Sequence, residues 1–265
     1  MMQKKPIEEK NMDCTVLVTS CFAYKDVLEN FELLFQKYWK DCPFPVYLNI
    51  DRKIGRHRMH YDKVILSPHK ENLIRMRDIE WKTPYVLIMQ DDHFLIDKVD
   101  NQKILNAIAY AKKYNCGNLR LIQDPKTEDV FSASEQLLEY KPGKAYRISA
   151  RGGVWETAYL KKFIYKYKDF WEMERHGQQF SCKIKKRVLC TKERVLPIID
   201  AVHKGYYEDF AYMLLQANGI FPERKQMSNL LKVKEYLKAA ILDWNPELIT
   251  GIQDKFDLGY KHKYN

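Results

Sequence analysis

Tyr85 to Met89, YVLIM, constrains this chain more than any other segment: it is apolar on both faces, follows Pro84, and runs directly into two acids. A strand of an open antiparallel sheet can leave one face to water. A strand apolar on both faces needs cover on both, which central parallel strands receive from helices packed above and below the sheet.

The flanking segments supply such helices and further strands. Thr15 to Thr19 (TVLVT) is a β-branched run, and Val27, Leu28, Phe31, Leu34, Phe35, Tyr38 and Trp39 follow at helical spacing. Asp26 and Glu29 make a capping-box pattern at the start of that helix, and Asp41, Cys42 and Pro43 end it. Strands are predicted at Val46 to Ile50 and Lys63 to Leu66, with a helix from Glu71 to Trp81 before the central strand. Beyond the acids, a helix capped by Asp100 carries Ile104, Leu105, Ile108 and Ala111 on one face, stops near Gly117 and leads to a strand at Leu119 to Ile122. Residues 125 to 143 lack sustained periodicity and read as a functional or mobile loop. A strand at Tyr146 to Ala150, a helix through Tyr159 to Lys168 and a strand at Val195 to His203 complete the pattern. The β-α-β order implies an α/β fold with a doubly wound, mostly parallel sheet flanked by helices.

At 265 residues the chain suits one large domain, taken here as residues 13–225, plus a small helical extension at 226–265. In that extension Leu230, Val233, Leu237, Ala240 and Ile241 share a face, with lysines between them. The six cysteines are scattered, without metal-site spacing, and read as reduced thiols. No apolar stretch approaches the ~20 residues of a membrane span, and the N-terminal residues lack the apolar core of a signal peptide. The expected location is the cytoplasm, with the basic amphipathic C-terminal segment able to rest on the anionic inner face of the membrane. A net charge of +10, from 45 Lys and Arg against 35 Asp and Glu, favours an anionic partner, although a lysine-rich solvated surface gives the same balance. With no zinc finger, RNA-recognition signature or dense basic stripe, nucleic acid is not expected as that partner.

Ligands of open α/β sheets bind beyond the carboxyl ends of the strands, where Gln90-Asp91-Asp92-His93 falls. Side chains alternate along extended backbone, so Asp91 and Asp92 point different ways, one free for a divalent metal and the other for a sugar hydroxyl. The same pair would also serve to cap a turn. Arg75 and Arg77, just before the central strand, are placed either to reach an anion or to stay solvated. Gly152 and Gly153 permit close backbone approach to a ligand, or simply a turn.

Four blocks carry a family resemblance. TPYVLIMQDDHFL resembles the acidic motif of GT-A glycosyltransferases, particularly a bacterial group from polysaccharide gene clusters. VLVTSCFAYKDVLENFELLFQKYWKDCPFPVYL is similar to that group's first β-α-β unit, in which Thr19, Ser20 and Cys21 would line the nucleotide pocket. GGVWETAYL and FWEMERHG resemble its Trp-containing and W-[DE]-x-E blocks, and the four in order span residues 14 to 210. The resemblance implies a GT-A fold and inverting transfer of a sugar from a nucleoside-diphosphate sugar to a glycan or lipid-linked acceptor in capsule, lipopolysaccharide or exopolysaccharide synthesis. It also implies a divalent metal, manganese or magnesium, that stabilises the diphosphate leaving group as a Lewis acid.

Carried onto this chain, Asp92 is the metal ligand, Asp91 turns to the ribose or the metal's waters, and His203 completes the metal or diphosphate site or is an ordinary structural histidine. Arg75, Gly152 and Gly153 complete the donor site, Trp155 and Trp171 meet the acceptor, and the 125 to 143 loop faces it. An acceptor hydroxyl must lose its proton as it attacks, and Glu174 is the candidate base, with Glu172 as runner-up; both would otherwise be solvated acids on a helix turn. Arg175-His176-Gly177 departs from the small Gly-Ser pair of many relatives, which bears on the acceptor rather than the fold. Two other classes remain: a nucleotidyltransferase acting on sugar phosphates, and a non-catalytic basic protein that binds nucleotide or nucleic acid. The first normally carries a glycine-rich phosphate loop after its first strand, and VTSCFAYKD has no glycine.

Overall fold

The computed structural model describes residues 10–144, 146–229 and 231. The chain divides after Asp200 into two compact units. The first begins with β1 (Cys14–Thr19), buried along its whole length, and α1 (Lys25–Tyr38), which buries Val27, Leu28, Phe31, Leu34 and Phe35. The expected capping box is not used: Tyr24 holds the N-cap position and its side chain makes no capping bond. After β2 (Val46–Ile50) and β3 (Lys63–Leu66) the chain forms a short α2 (Asn72–Arg75) and a 3-10 turn at Met76–Asp78, not a continuous helix to Trp81. Leu73, Met76 and Ile79 are buried at intervals of three residues, the repeat of a 3-10 turn and not of an α-helix.

β4 (Tyr85–Gln90) is the strand apolar on both faces, followed by β5 (His93–Leu95) and α3 (Asn101–Lys113), whose N-cap Asp100 accepts from the N–H groups of Gln102 and Lys103. β6 (Cys116–Arg120) starts three residues earlier than expected, because Asn115, at φ 53°, turns the chain directly out of α3. Gly117 is therefore a strand residue, and the Tyr159 ring lies 2.5 Å from where its Cβ would be. β7 (Val130–Ser132) and β8 (Leu137–Glu139) form an antiparallel pair within the expected loop.

The expected strand at Tyr146 to Ala150 does not form. Arg147 N–H bonds the Lys144 carbonyl and Ala150 N–H bonds the Glu174 carboxylate, so these donors are not available to a ladder. The strand is instead β9 (Gly153–Glu156), followed by α4 (Thr157–Lys166), α5 (Phe170–Cys182), β10 (Arg187–Thr191) and β11 (Ile198–Asp200). The long strand expected from Val195 to His203 is thus interrupted, with β11 pairing β5. The second unit holds β12 (Val202–His203), β13 (Tyr206–Tyr207) and α6 (Asp209–Ala217). Leu230 and the amphipathic face from Val233 to Ile241 lie outside the described residues.

The main sheet has the order β3-β2-β1-β4-β9-β6-β10-β8-β7. β3, β2, β1 and β4 are mutually parallel, as are β6 and β10, and β9 runs antiparallel to both β4 and β6. This is the expected α/β sheet, mostly parallel and flanked by helices, with one reversed strand at its centre. Leu17, Val86, Ile88, Trp155, Leu160 and Phe163 belong to the core cluster beneath α4.

Candidate functional site

The sheet order places a crevice between β1 and β4. From β1 the chain goes through α1 to β2 on one side, and from β4 it goes to β6 on the other, so strand succession reverses here and the flanking loops diverge. Such a switch point is where an open α/β sheet leaves room for a ligand beyond its carboxyl ends. β1 and β4 pair to their last residues, Thr19 against Gln90, so Ser20 and Asp91 emerge side by side. The Asp91 N–H bonds the Thr19 carbonyl at 3.2 Å, and the Ser20 hydroxyl donates to Asp91 Oδ2 at 2.6 Å.

Asp92 stands next in line. Its Oδ1 is buried with no hydrogen-bond partner among the described residues. Burial pushes the Asp92 carboxyl up to about 7, the His93 ring opposes the rise, and the charges of Asp91 and Asp200 add to it. His93 is held by the Gln90 N–H on its Nδ1, 3.2 Å away, and its Nε2 lies 3.8 Å from Asp200.

Arg75, expected at the donor, faces inward. It is 3% exposed, and its guanidinium donates to the carbonyls of Ser20 at 2.8 Å, Lys70 at 2.7 Å and His69 at 3.1 Å. Its reach to an anion is therefore given up to fixing the backbone under Ser20. Arg77 likewise binds the carbonyls of Ile164 and Tyr167. Burial, and then the charges of Asp91 and Asp51, push the Cys21 thiol up to about 12, so it lines the crevice as a neutral side chain. Thr19 is buried at the end of β1.

The first residues of β9 arrive at the same end of the sheet, because β9 is reversed. A Cβ on Gly152 would come within 2.9 Å of Ile122 and sit at a φ of +49° that side chains rarely adopt, and one on Gly153 would come within 2.8 Å of the Asn118 amide, so local backbone and packing favour both glycines without a ligand. Just upstream, the Ser149 hydroxyl and the Ala150 N–H both donate to Glu174 Oε1, at 2.8 and 2.9 Å. Burial raises the Glu174 carboxyl, those two bonds and the Arg120 charge oppose the rise, and the net shift is upward. Glu172 is occupied at the start of α5: Asp169 accepts its N–H at 2.7 Å, and its own carboxylate accepts from Lys168 N–H at 2.8 Å.

The two tryptophans expected at the acceptor separate. Trp171 is 47% exposed beside Arg175, whereas Trp155 is fully buried against Tyr159 and Phe163 and presents no surface to a ligand. His203 belongs to β12 of the second unit.

Residues not singled out in the sequence also gather at this end. Asp51 accepts from Phe22 N–H at 2.6 Å, and Arg151 is ion-paired with Asp124 and, at 2.9 Å, with Asp200. Asp51 carried the same signal as Asp91, an acid directly after an apolar strand. Asp200 and Asp124 carried none, since the turns that bring them to Arg151 are tertiary. Among the described residues no group of three or more His, Cys, Asp and Glu is arranged to chelate a metal by itself.

No known protein family matches the chain, and neither does any curated protein. Among solved structures, S. aureus TarS 1-349 is similar over 70% of this chain and 59% of that one, at 14% identity and a TM-score of 0.40. The 2-C-methyl-D-erythritol 4-phosphate cytidylyltransferase of Thermus thermophilus is similar over 78% and 98%, at 14% identity and a TM-score of 0.46. A cytidylyltransferase from Leptospira borgpetersenii is similar over 82% and 100%, at 8% identity and a TM-score of 0.37. Each is a likeness in the path of the chain at low identity.

Proposed function

We propose that this chain is a GT-A type glycosyltransferase that moves a sugar from a nucleoside-diphosphate sugar to a hydroxyl of a glycan or lipid-linked acceptor. The observation that carries the reading is the Ser20–Asp91 contact across the β1/β4 crevice, with the partnerless Asp92 oxygen beside it. A carboxylate whose pKa burial raises first, and the charges of Asp91 and Asp200 raise further, gains most from an added cation. Asp92, with Asp91 behind it, fits a manganese or magnesium ion that takes its other ligands from diphosphate and water, as such hard cations commonly do. When bound, the metal would supply Lewis-acid stabilisation of the leaving diphosphate.

The chain's own groups do the rest. Arg75 fixes the Ser20 carbonyl, Ser20 fixes one oxygen of Asp91, and Asp92 is left to meet the ligand. Glu174 is the proposed base for inverting transfer. Its Oε1 is held by Ser149 and Ala150, which leaves Oε2 to take the acceptor's proton, and its raised affinity for that proton suits the task. Trp171 stays a candidate for the acceptor side.

Thermal stability in the presence of nucleotide sugars, with and without manganese, tests this reading. Ligand at a hundred times its Kd stabilises by about 2.7 kcal/mol, a readily measured rise in Tm. The expected result is metal-dependent stabilisation by at least one nucleoside-diphosphate sugar, absent in Asp92→Asn. Stabilisation by nucleoside triphosphates alone would replace this reading with the nucleotidyltransferase one.

A further inference from the structure

We propose that the chain carries a second ligand site, at the opposite end of the sheet from the acid pair, that takes a small phosphate-bearing anion. A cavity of about 590 Å3 opens where the chain enters β6 and β10, and its lining includes Tyr114, Asn115, Ser181 and Ile184. That volume falls within the ~300–1,000 Å3 of small-molecule pockets. The site is independent of the function proposed above.

The lining is strongly cationic: Lys113, Arg147, Lys185, Lys186 and Arg187 face it, against the single acid Glu139. Three of these cations already have carboxylates. Lys113 pairs with Glu135 at 2.7 Å, Lys186 with Glu156 at 2.7 Å, and Arg187 with Glu139 at 3.4 Å. Lysines near the ends of α3 and α5 also offset the negative pole of a helix C-terminus, so their presence alone selects no ligand.

Arg147 is the residue that points to one. It lies on no helix and is 2% exposed, yet its guanidinium bonds only neutral oxygens: the Tyr140 carbonyl at 2.8 Å, the Ser181 hydroxyl at 2.6 Å and the Lys186 carbonyl at 3.2 Å. Arg75 and Arg120 also bond carbonyl oxygens, but neither lines this cavity. A guanidinium withheld from water without an anion is costly, and a phosphate in the adjoining cavity would supply the missing charge. Lys185, which forms no ion pair among the described residues, is a second donor on the same wall.

Cys182 gives a local readout, since it lines the cavity and is exposed. Inorganic pyrophosphate in the presence of EDTA should slow iodoacetamide alkylation of Cys182 several-fold in the folded protein and leave it unchanged in the denatured protein. Chelator keeps a metal-dependent site at the acid pair silent. Lys185→Glu should remove the protection with little change in Tm, Asp92→Asn should retain it, and added salt should weaken it. Absence of protection at millimolar pyrophosphate, or equal protection in folded Lys185→Glu, would overturn the proposal.

Discussion

A carboxyl that binds its proton more tightly in the folded chain than in the unfolded one lowers stability as pH rises between the two values. Asp92 has moved from 3.8 to about 7, and Glu174 has moved in the same direction, so metal-free protein is expected to lose stability across that interval. Thermal melts in chelator from acid to neutral pH check the slope, and Asp92→Asn should flatten it. Glu174→Gln should lower turnover by about 10²- to 10⁴-fold with donor affinity unchanged. Glu172→Gln should instead leave turnover close to wild type and cost well under about 1 kcal/mol, because the amide oxygen can still accept from Lys168 N–H and only the charge at the start of α5 is lost. The acids at the end of β4 were legible because an apolar strand that stops at acids places them at a sheet edge. Arg75 was expected at the donor, and its capture by backbone carbonyls was not legible, since sequence shows a charge and not what holds it. Trp155 was misplaced for a related reason: next to Gly152 and Gly153 it looks ligand-facing, and only the pairing of β9 turns it into the core.

Among the elements, β9 and α4 share an aromatic cluster of Trp155, Tyr159 and Phe163. Trp155→Ala should cost about 3–5 kcal/mol by opening a cavity beside Tyr159 and Phe163. Gly117→Ala should cost about 1–3 kcal/mol, because the Tyr159 ring must move from its 2.5 Å position. Denaturant unfolding of both variants measures these losses. The parallel strands and α1 were readable from periodicity, and Asp100 from its place before a helical run. The reversal of β9 was not, because a short buried strand looks the same in either direction. Nor was the change from strand to irregular backbone at 146–150, where a distant side chain, Glu174, takes the amide that a ladder would have used.

At the scale of the whole molecule, the net charge of +10 and the lysine-rich amphipathic pattern read from the sequence near the C-terminus are the grounds for expecting visits to anionic lipid. No helix among the described residues is long and apolar enough to cross a membrane. Flotation with vesicles containing anionic lipid should recover the protein at low ionic strength and lose it as salt is raised; protein that stays in the aqueous fraction at low salt would count against the idea. The reversed strand has a consequence during synthesis. β4 and β6 have no direct ladder between them and are joined only through β9. Until Gly153 to Glu156 leave the ribosome, both strands therefore keep an open hydrogen-bonding edge. A nascent chain stalled before this point would display one unpaired edge on β4 and both on β6, whose other neighbour β10 follows later still, the kind of template on which misassembly and chaperone capture begin.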